Sequence, residues 1–218
     1  MGNQTDLIVN HIVKSIEDGR LNPGDVIEEK ALVSEFGVSR TPVREALLQL
    51  DAVGILKRKP RGGAEVFRPT LEEFLAILEV HGKLEGHAAA LAARRLSPAD
   101  AMALDMACSA CDGHAMIYGD DKPDLYYQHN LEFHRTIAIA SHNDVLLDLI
   151  RTNGRKLLAY YRARYRYKGS IGKSATEHRQ IAQLILDRDS AAAEALMVSH
   201  VTFDSVTAMD LLAVLFKP

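Results

Sequence analysis

Tryptophan is absent from the 218 residues and cysteine occurs only twice, so no disulfide framework holds this chain. So few cysteines fit a reducing compartment, and a cytoplasmic location is the expectation. No run of about 18 apolar residues occurs, which excludes an expected membrane-spanning helix. The polar start from Met1 to Asp6 lacks the apolar centre of a secretion signal. Net charge is slight as well: 26 Lys+Arg against 29 Asp+Glu give −3, so overall basicity offers no reason to expect a nucleic-acid partner. With 47% apolar and 25% charged residues, the chain has what one large core or two small ones require.

Proline and glycine are distributed unevenly, and their shortage divides the chain. Pro23-Gly24, Gly37, Pro42, Gly54, Pro60 and Gly62-Gly63 punctuate the first part, and Pro69 closes it. After that only Pro98, Pro123 and the terminal Pro218 occur. Phe67 to Thr70 reads as a linker, giving domains over 1–69 and 70–218. In the first part Ile8, Ile12 and Ile16 mark an amphipathic helix that stops before Gly19. A second helix is expected from about Glu28 to Phe36, burying Ala31, Leu32 and Phe36. A third follows the Gly37 turn, with Val43, Ala46, Leu47 and Leu50 on one stripe. Pro42 falls in its first turn, where its missing N–H costs nothing. Two short alternations, Ile55–Arg58 and Ala64–Phe67, hinged by Pro60 to Gly63, read as a β-hairpin. The second part reads as about six helices over 71–95, 98–118, 123–140, 143–168, 174–187 and 190–214. Expected caps are Thr70 with Glu73, Ser97 ahead of Pro98, Ser174 with Glu177, and Asp189. The fold class is mainly α: a winged helix-turn-helix of three helices and a small hairpin, then an antiparallel helical bundle.

Local charge carries what net charge conceals. Residues 37–62 hold Arg40, Arg44, Lys57, Arg58, Lys59 and Arg61 against only Glu45 and Asp51. With Val43, Ala46, Leu47 and Leu50 turned inward, Arg40, Thr41 and Arg44 lie on the exposed side at the start of the third helix. A recognition helix presents that end to the major groove, where arginine can pair with guanine O6 and N7. Ser39, Thr41 and the helix N-terminal amides suit phosphate oxygens. Periodicity alone leaves open whether these are merely solvated charges on a small helical domain.

The segment Gly19 to Glu28 around Pro23-Gly24, the run Phe36-Gly37-Val38-Ser39-Arg40-Thr41-Pro42-Val43-Arg44-Glu45-Ala46-Leu47, and the pieces Gly54-Ile55-Leu56 and Gly63-Ala64-Glu65-Val66 resemble the DNA-binding domain of the GntR family over nearly all of residues 7–67. That resemblance implies that Arg40 and Arg44 read bases and that Lys30, Ser39 and Thr41 hold phosphates or flanking bases. It also implies that the wing tip from Arg61 to Gly63 enters a minor groove. Lys30 stands where the family often has Arg, which removes the planar fork needed for a bidentate contact.

Nine histidines are many for this length. Asn130 and His134 are spaced i, i+4 on one helix face, His178 follows a helix start, and His200 lies mid-helix near Ala193 and Met197. Spacing alone leaves them open between ordinary core residues and metal ligands. Residues 71–215 resemble the all-helical FCD-type effector domain of FadR-like GntR proteins. The matching pieces are Leu84-Glu85 with Ala88–Ala93, Asn130 to His134, Ala140 to Asn143, Glu177 to Ile181, and Met197 to His200. The resemblance implies a divalent metal, zinc or nickel, on Asn130, His134, His178 and His200, with Asn130 where the family has Asp. It further implies a small organic-acid effector, a homodimer and a repressor acting on double-stranded operator DNA. His81 stands where the family pattern favours Arg and is read as an altered effector contact, with Arg151 and Arg155 as further partners for an effector anion.

Two other patterns receive plainer readings. Cys108 and Cys111, with His114 beyond, imitate half of a zinc site, but no second pair exists, and buried small residues are expected. The run Tyr160 to Lys168 is read as helix-end cations answering the helix dipole and solvent. The rival function is a metal-dependent hydrolase or lyase using the three histidines. It lacks an assignable carboxylate base and leaves the N-terminal module without a task.

Overall fold

A computed structural model describes residues 4–60 and 62–202, and the chain divides into two compact units, residues 1–70 and 71–218. Among the described residues the architecture is mainly helical, with nine helices and one small antiparallel sheet.

The first unit is a winged helix-turn-helix. Helices α1 (Gln4–Glu17), α2 (Glu29–Phe36) and α3 (Arg40–Ala52) enclose Ile8, Ile12, Leu32, Val43, Ala46, Leu47 and Leu50. Gly37, left-handed at φ 62°, ends α2 and lets its N–H reach the Val33 carbonyl, which turns the chain into α3. Two residues expected in this core sit differently: Ala31 is exposed, and Phe36 is half-buried edge-on to the His11 ring. Leu32 is the one fully buried side chain of α2, because so short a helix presents a single apolar row.

The expected hairpin is present as β2 (Leu56–Arg58) and β3 (Ala64–Val66), joined by a third strand that the sequence reading missed. Strand β1 (Val26–Ile27) pairs with β3, giving the order β1-β3-β2, with Val26 opposite Glu65 and Ile27 opposite Ala64. Two residues are too short a run for alternation to register.

The second unit contains α4 (Leu71–Arg95), α5 (Pro98–Tyr118), α6 (Pro123–Ala140), α7 (Asp144–Arg164), α8 (Ser170–Leu186) and α9 (Ser190–Val201). Ser97 and Asp100 form a reciprocal capping box at α5, and Asn143 and Asp189 cap α7 and α9. Two boundaries depart from expectation. Helix α7 stops at Arg164 rather than 168, and α8 begins at Ser170, four residues ahead of the expected cap. Gly169, at φ 81°, starts α8 and donates its N–H to Asp120 at 2.7 Å, while Ser174 is fully buried inside the helix. The expected extension of α9 to residue 214 lies outside the described residues. Along α4, Ala88 to Ala93 are buried, and Gly86 lets α9 approach closely: a Cβ there would lie 2.5 Å from a Val198 methyl. No helix among the described residues is long and apolar enough to cross a membrane.

Candidate nucleic-acid interface and metal centre

In the first unit the apolar stripe of α3 fixes the opposite face. Val43, Ala46, Leu47 and Leu50 are buried, so Ser39, Arg40, Thr41 and Arg44 are exposed together at the helix start, with Lys30 exposed on α2. The α3 N-terminus is also free of acidic residues in its first turn, which leaves its amide dipoles available to phosphate. Arg44 Nε donates to Glu29 Oε2 at 3.1 Å, a partner that the sequence reading did not anticipate.

The wing departs from expectation at one residue. Gly63 was expected at the tip, but it is buried, and a Cβ on it would strike the Ile27 carbonyl of β1. Its φ of +80° and this close approach make it a structural glycine that seats β3 against β1. Gly62 is the exposed glycine of the turn, and Arg61 lies outside the described residues. On the strands Lys57 and Arg58 are exposed, whereas Lys59 pairs with Glu65 at 2.9 Å and holds that carboxyl below its usual range.

In the second unit His134 of α6, His178 of α8 and His200 of α9 meet, with one ligand nitrogen of each within 4.8 Å of the others. His178 Nε2 and His200 Nε2 are 3.0 Å apart. His178 stacks on Phe133 at 4.0 Å between ring centroids, and His134 lies parallel to His200 at 5.3 Å. Two carboxylates, neither assigned to the histidines from sequence, orient the imidazoles. His200 Nδ1 is 2.7 Å from Glu177, and His134 Nδ1 is 3.3 Å from the buried Glu85, which also lies 3.5 Å from His81. A carboxylate on Nδ1 selects the tautomer that leaves Nε2 with its lone pair, the arrangement found behind metal-bound histidines.

The electrostatics follow from burial. Desolvation holds His178 and His200 well below the usual imidazole range, and neighbouring imidazoles and Arg164 add to the effect. Both rings are therefore neutral at pH 7 and offer lone pairs. His81 is lowered for the same reason. Burial acts to raise Glu85, but His134 and His81 outweigh it and the carboxyl is lowered overall; Glu177 is raised by burial against the pull of Arg164 and Lys173.

Whether these residues suit a cation can be judged from two features. Two bare Nε2 atoms cannot face each other at 3.0 Å without a proton or a cation between them. His178 Nδ1 is buried and without a hydrogen-bond partner among the described residues, so Nε2 is the atom by which this ring joins the cluster. Three imidazoles, two of them with a carboxylate behind Nδ1, are a donor set that suits zinc or nickel. The residues fit.

Asn130 is buried one turn before His134, but its carboxamide oxygen accepts from the Tyr165 hydroxyl at 2.7 Å. The oxygen expected to ligate metal thus already has a donor, and Tyr165 was not foreseen. His81 is buried, with Nε2 towards Glu85 and Nδ1 without a partner among the described residues, and Gly154 of α7 makes room for its ring. Arg151 is exposed beside Asp148 on its own helix, and Arg155 is half-buried; no contact places either at the histidines. The cation that does reach them is Arg164, which donates to the His200 carbonyl at 3.0 Å and lies 3.9 Å from Glu177. Residues 160–168 are not simply solvated helix-end cations: Tyr160 and Tyr165 are buried, and Arg162 pairs with Asp124 at 2.6 Å. Cys108 and Cys111 are both buried free thiols, as expected, with burial pushing them up to about 11 and about 12.

Comparison with known proteins matches this arrangement on both units. The family of bacterial regulatory proteins named gntR matches residues 4–66, and the FCD domain matches residues 76–203. The HTH-type transcriptional regulator LutR of Bacillus subtilis is 30% identical over 208 residues, covering 86% of this chain and 93% of LutR. A putative L-lactate dehydrogenase operon regulatory protein of Escherichia coli is 27% identical, covering 93% and 85%. The solved structure of E. coli McbR/YncC shares the fold, with a TM-score of 0.78 at 21% identity over 99% of this chain and 98% of that one.

A winged helix-turn-helix followed by an all-helical sensing domain defines a DNA-binding transcriptional regulator. The chain belongs to the GntR family and carries an FCD domain; it is a regulator and not an enzyme, and nothing favours the hydrolase or lyase reading.

Proposed function

We propose that this regulator binds a divalent transition metal, zinc or nickel, on His134, His178 and His200, and that a small carboxylate effector completes the coordination. The carrying observation is the meeting of three imidazoles from three helices with Glu85 and Glu177 behind two of them. The metal would supply an electrophilic anchor for a carboxylate oxygen. The protein's own residues orient the imidazoles, and burial keeps His178 and His200 uncharged. Asn130, held by Tyr165, contributes a neutral oxygen at most, so the site carries less negative charge than one built with Asp and accepts an anionic effector at lower electrostatic cost. His81, with its unpartnered Nδ1, is assigned a neutral contact to the effector. Arg151 and Arg155 are left as outer cations.

Two copies act together, with paired α3 helices in successive major grooves of a near-palindromic operator. Arg40 and Arg44 read bases, Lys30, Ser39 and Thr41 hold the backbone, and Arg61 serves the wing. Support for association in pairs comes from α5. Its outer face carries Met102, Met106, Ser109, Gly113 and Met116 at alternating steps of four and three, with the methionines 70%, 72% and 86% exposed. That is the seam spacing of packed helices, and a Cβ on Gly113 would meet nothing within 4 Å among the described residues. Effector binding lowers operator affinity by a coupling of about 1–3 kcal/mol, as a repressor requires.

The test uses an operator selected from random-sequence duplexes and a panel of small carboxylates, with metal-loaded and metal-stripped protein. A carboxylate that weakens operator binding only when metal is present supports the assignment. Equal effects in both forms, or none from any acid, would contradict it.

A further inference from the structure

The recognition arginine carries a partner that base reading does not demand. Arg44 Nε meets Glu29 Oε2 at 3.1 Å; the arginine side chain is 54% exposed and the glutamate only 13%. An exposed ion pair is ordinarily worth little, but here the carboxylate is the sheltered member. It sits at the first turn of α2, where the helix dipole favours an anion. The wing covers it as well: a Cβ on Gly62 would lie 3.7 Å from the Glu29 carboxyl. Glu29 is thus fixed in the corner where α2, α3 and the wing turn meet. A guanidinium held through Nε keeps its two terminal nitrogens as a planar fork, the shape that matches guanine O6 and N7.

We propose that Glu29 is a positioning residue for DNA reading: by accepting from Arg44 Nε it fixes the plane of the guanidinium, so that the terminal nitrogens meet a guanine edge in one orientation. This rests on the reading of Arg44 as a base contact. Its signature differs from that of a phosphate contact. Removing a carboxylate near DNA leaves sequence-independent binding unchanged or stronger, since one repulsion with phosphate is lost. Loss of orientation lowers only the preference for the operator. An inhibitory latch, in which Glu29 competes with DNA for Arg44, predicts the reverse: a higher preference once the carboxylate is gone.

The experiment measures dissociation constants of the full chain and of Glu29→Ala, Glu29→Gln and Arg44→Ala. The probes are the selected operator, a scrambled duplex, and operators with each guanine replaced in turn by 7-deazaguanine, which lacks the N7 acceptor. Glu29→Ala is expected to lower the operator-to-scrambled ratio about tenfold and to erase the penalty of one 7-deazaguanine that the unaltered protein and no Arg44→Ala protein feels. Glu29→Gln, which keeps an acceptor oxygen, loses less. If Glu29→Ala unfolds the head, Glu29→Gln decides by the same ratio and the same base. A ratio kept or raised in the Glu29 variants but lost in Arg44→Ala overturns the proposal alone. A ratio kept in Arg44→Ala overturns the reading of Arg44 and the proposal with it.

Discussion

The two units place their candidate functional residues on opposite sides of the boundary with water. In the DNA-binding unit Ser39, Arg40, Thr41 and Arg44 are exposed on a helix whose other face forms the core. In the FCD unit His81, Glu85, Asn130, His178 and His200 are all buried in the packing of four helices. A reading surface can be altered without disturbing the fold that presents it. A buried sensing centre is part of its own core, so function and stability there are tied together.

That contrast can be broken or sharpened by four measurements. The largest effect is expected from pH, because two groups act together. Burial lowers His178 and His200 in the folded chain, so the unfolded chain binds protons that the fold refuses. Stability of metal-free protein is then full above about pH 6.5, the ordinary histidine value, and is lost progressively as pH falls below it towards the lowered folded-state values. Thermal unfolding between pH 8 and 5.5 checks this; a melting temperature independent of pH would contradict the neutral, buried assignment. Next, Arg44→Ala should cost about 1–3 kcal/mol of operator affinity with its melting temperature unchanged. A shared loss of affinity and stability would erase the distinction between the units. Tyr165→Phe removes the hydroxyl that donates to the buried Asn130 amide oxygen and should destabilise the second unit by about 1–3 kcal/mol, read from urea unfolding, while effector-free operator binding is kept. The smallest effect is from Ser97→Ala, which deletes the α5 cap and should cost about 1 kcal/mol, with no change in metal content or DNA affinity.

Much of the fold was legible because its signals are local. The α3 stripe, the Gly37 turn and the starts of α5, α6 and α9 each follow from a few neighbouring residues. Strand β1 was not legible, since two residues carry no period and it is defined by pairing with Glu65 and Ala64 far along the chain. The α7–α8 junction was misplaced for a similar reason: Gly169 is held by Asp120 across 49 positions, while Ser174 and Glu177 imitate a cap inside the helix.

At the candidate centre, the residue types and their rough places were readable, but their partners were not. Glu85 and Glu177 lie 49 and 23 positions from the histidines they orient. Arg164 looked like a solvated helix-end cation because its neighbours Arg162, Arg166 and Lys168 share that pattern, and only the turn of the helix separates it from them. In the head, Gly63 looked like a tip residue because two glycines stand together; the one with a backbone carbonyl against it is structural.

The central claim is that the three buried histidines form a metal site. The most direct test is the transition-metal content, by elemental mass spectrometry, of protein purified without chelator or nickel resin, beside His178→Ala. The account predicts about one equivalent of zinc or nickel per chain in the unaltered protein and a marked loss in the variant. Less than about half an equivalent, or equal content in the two, would contradict it.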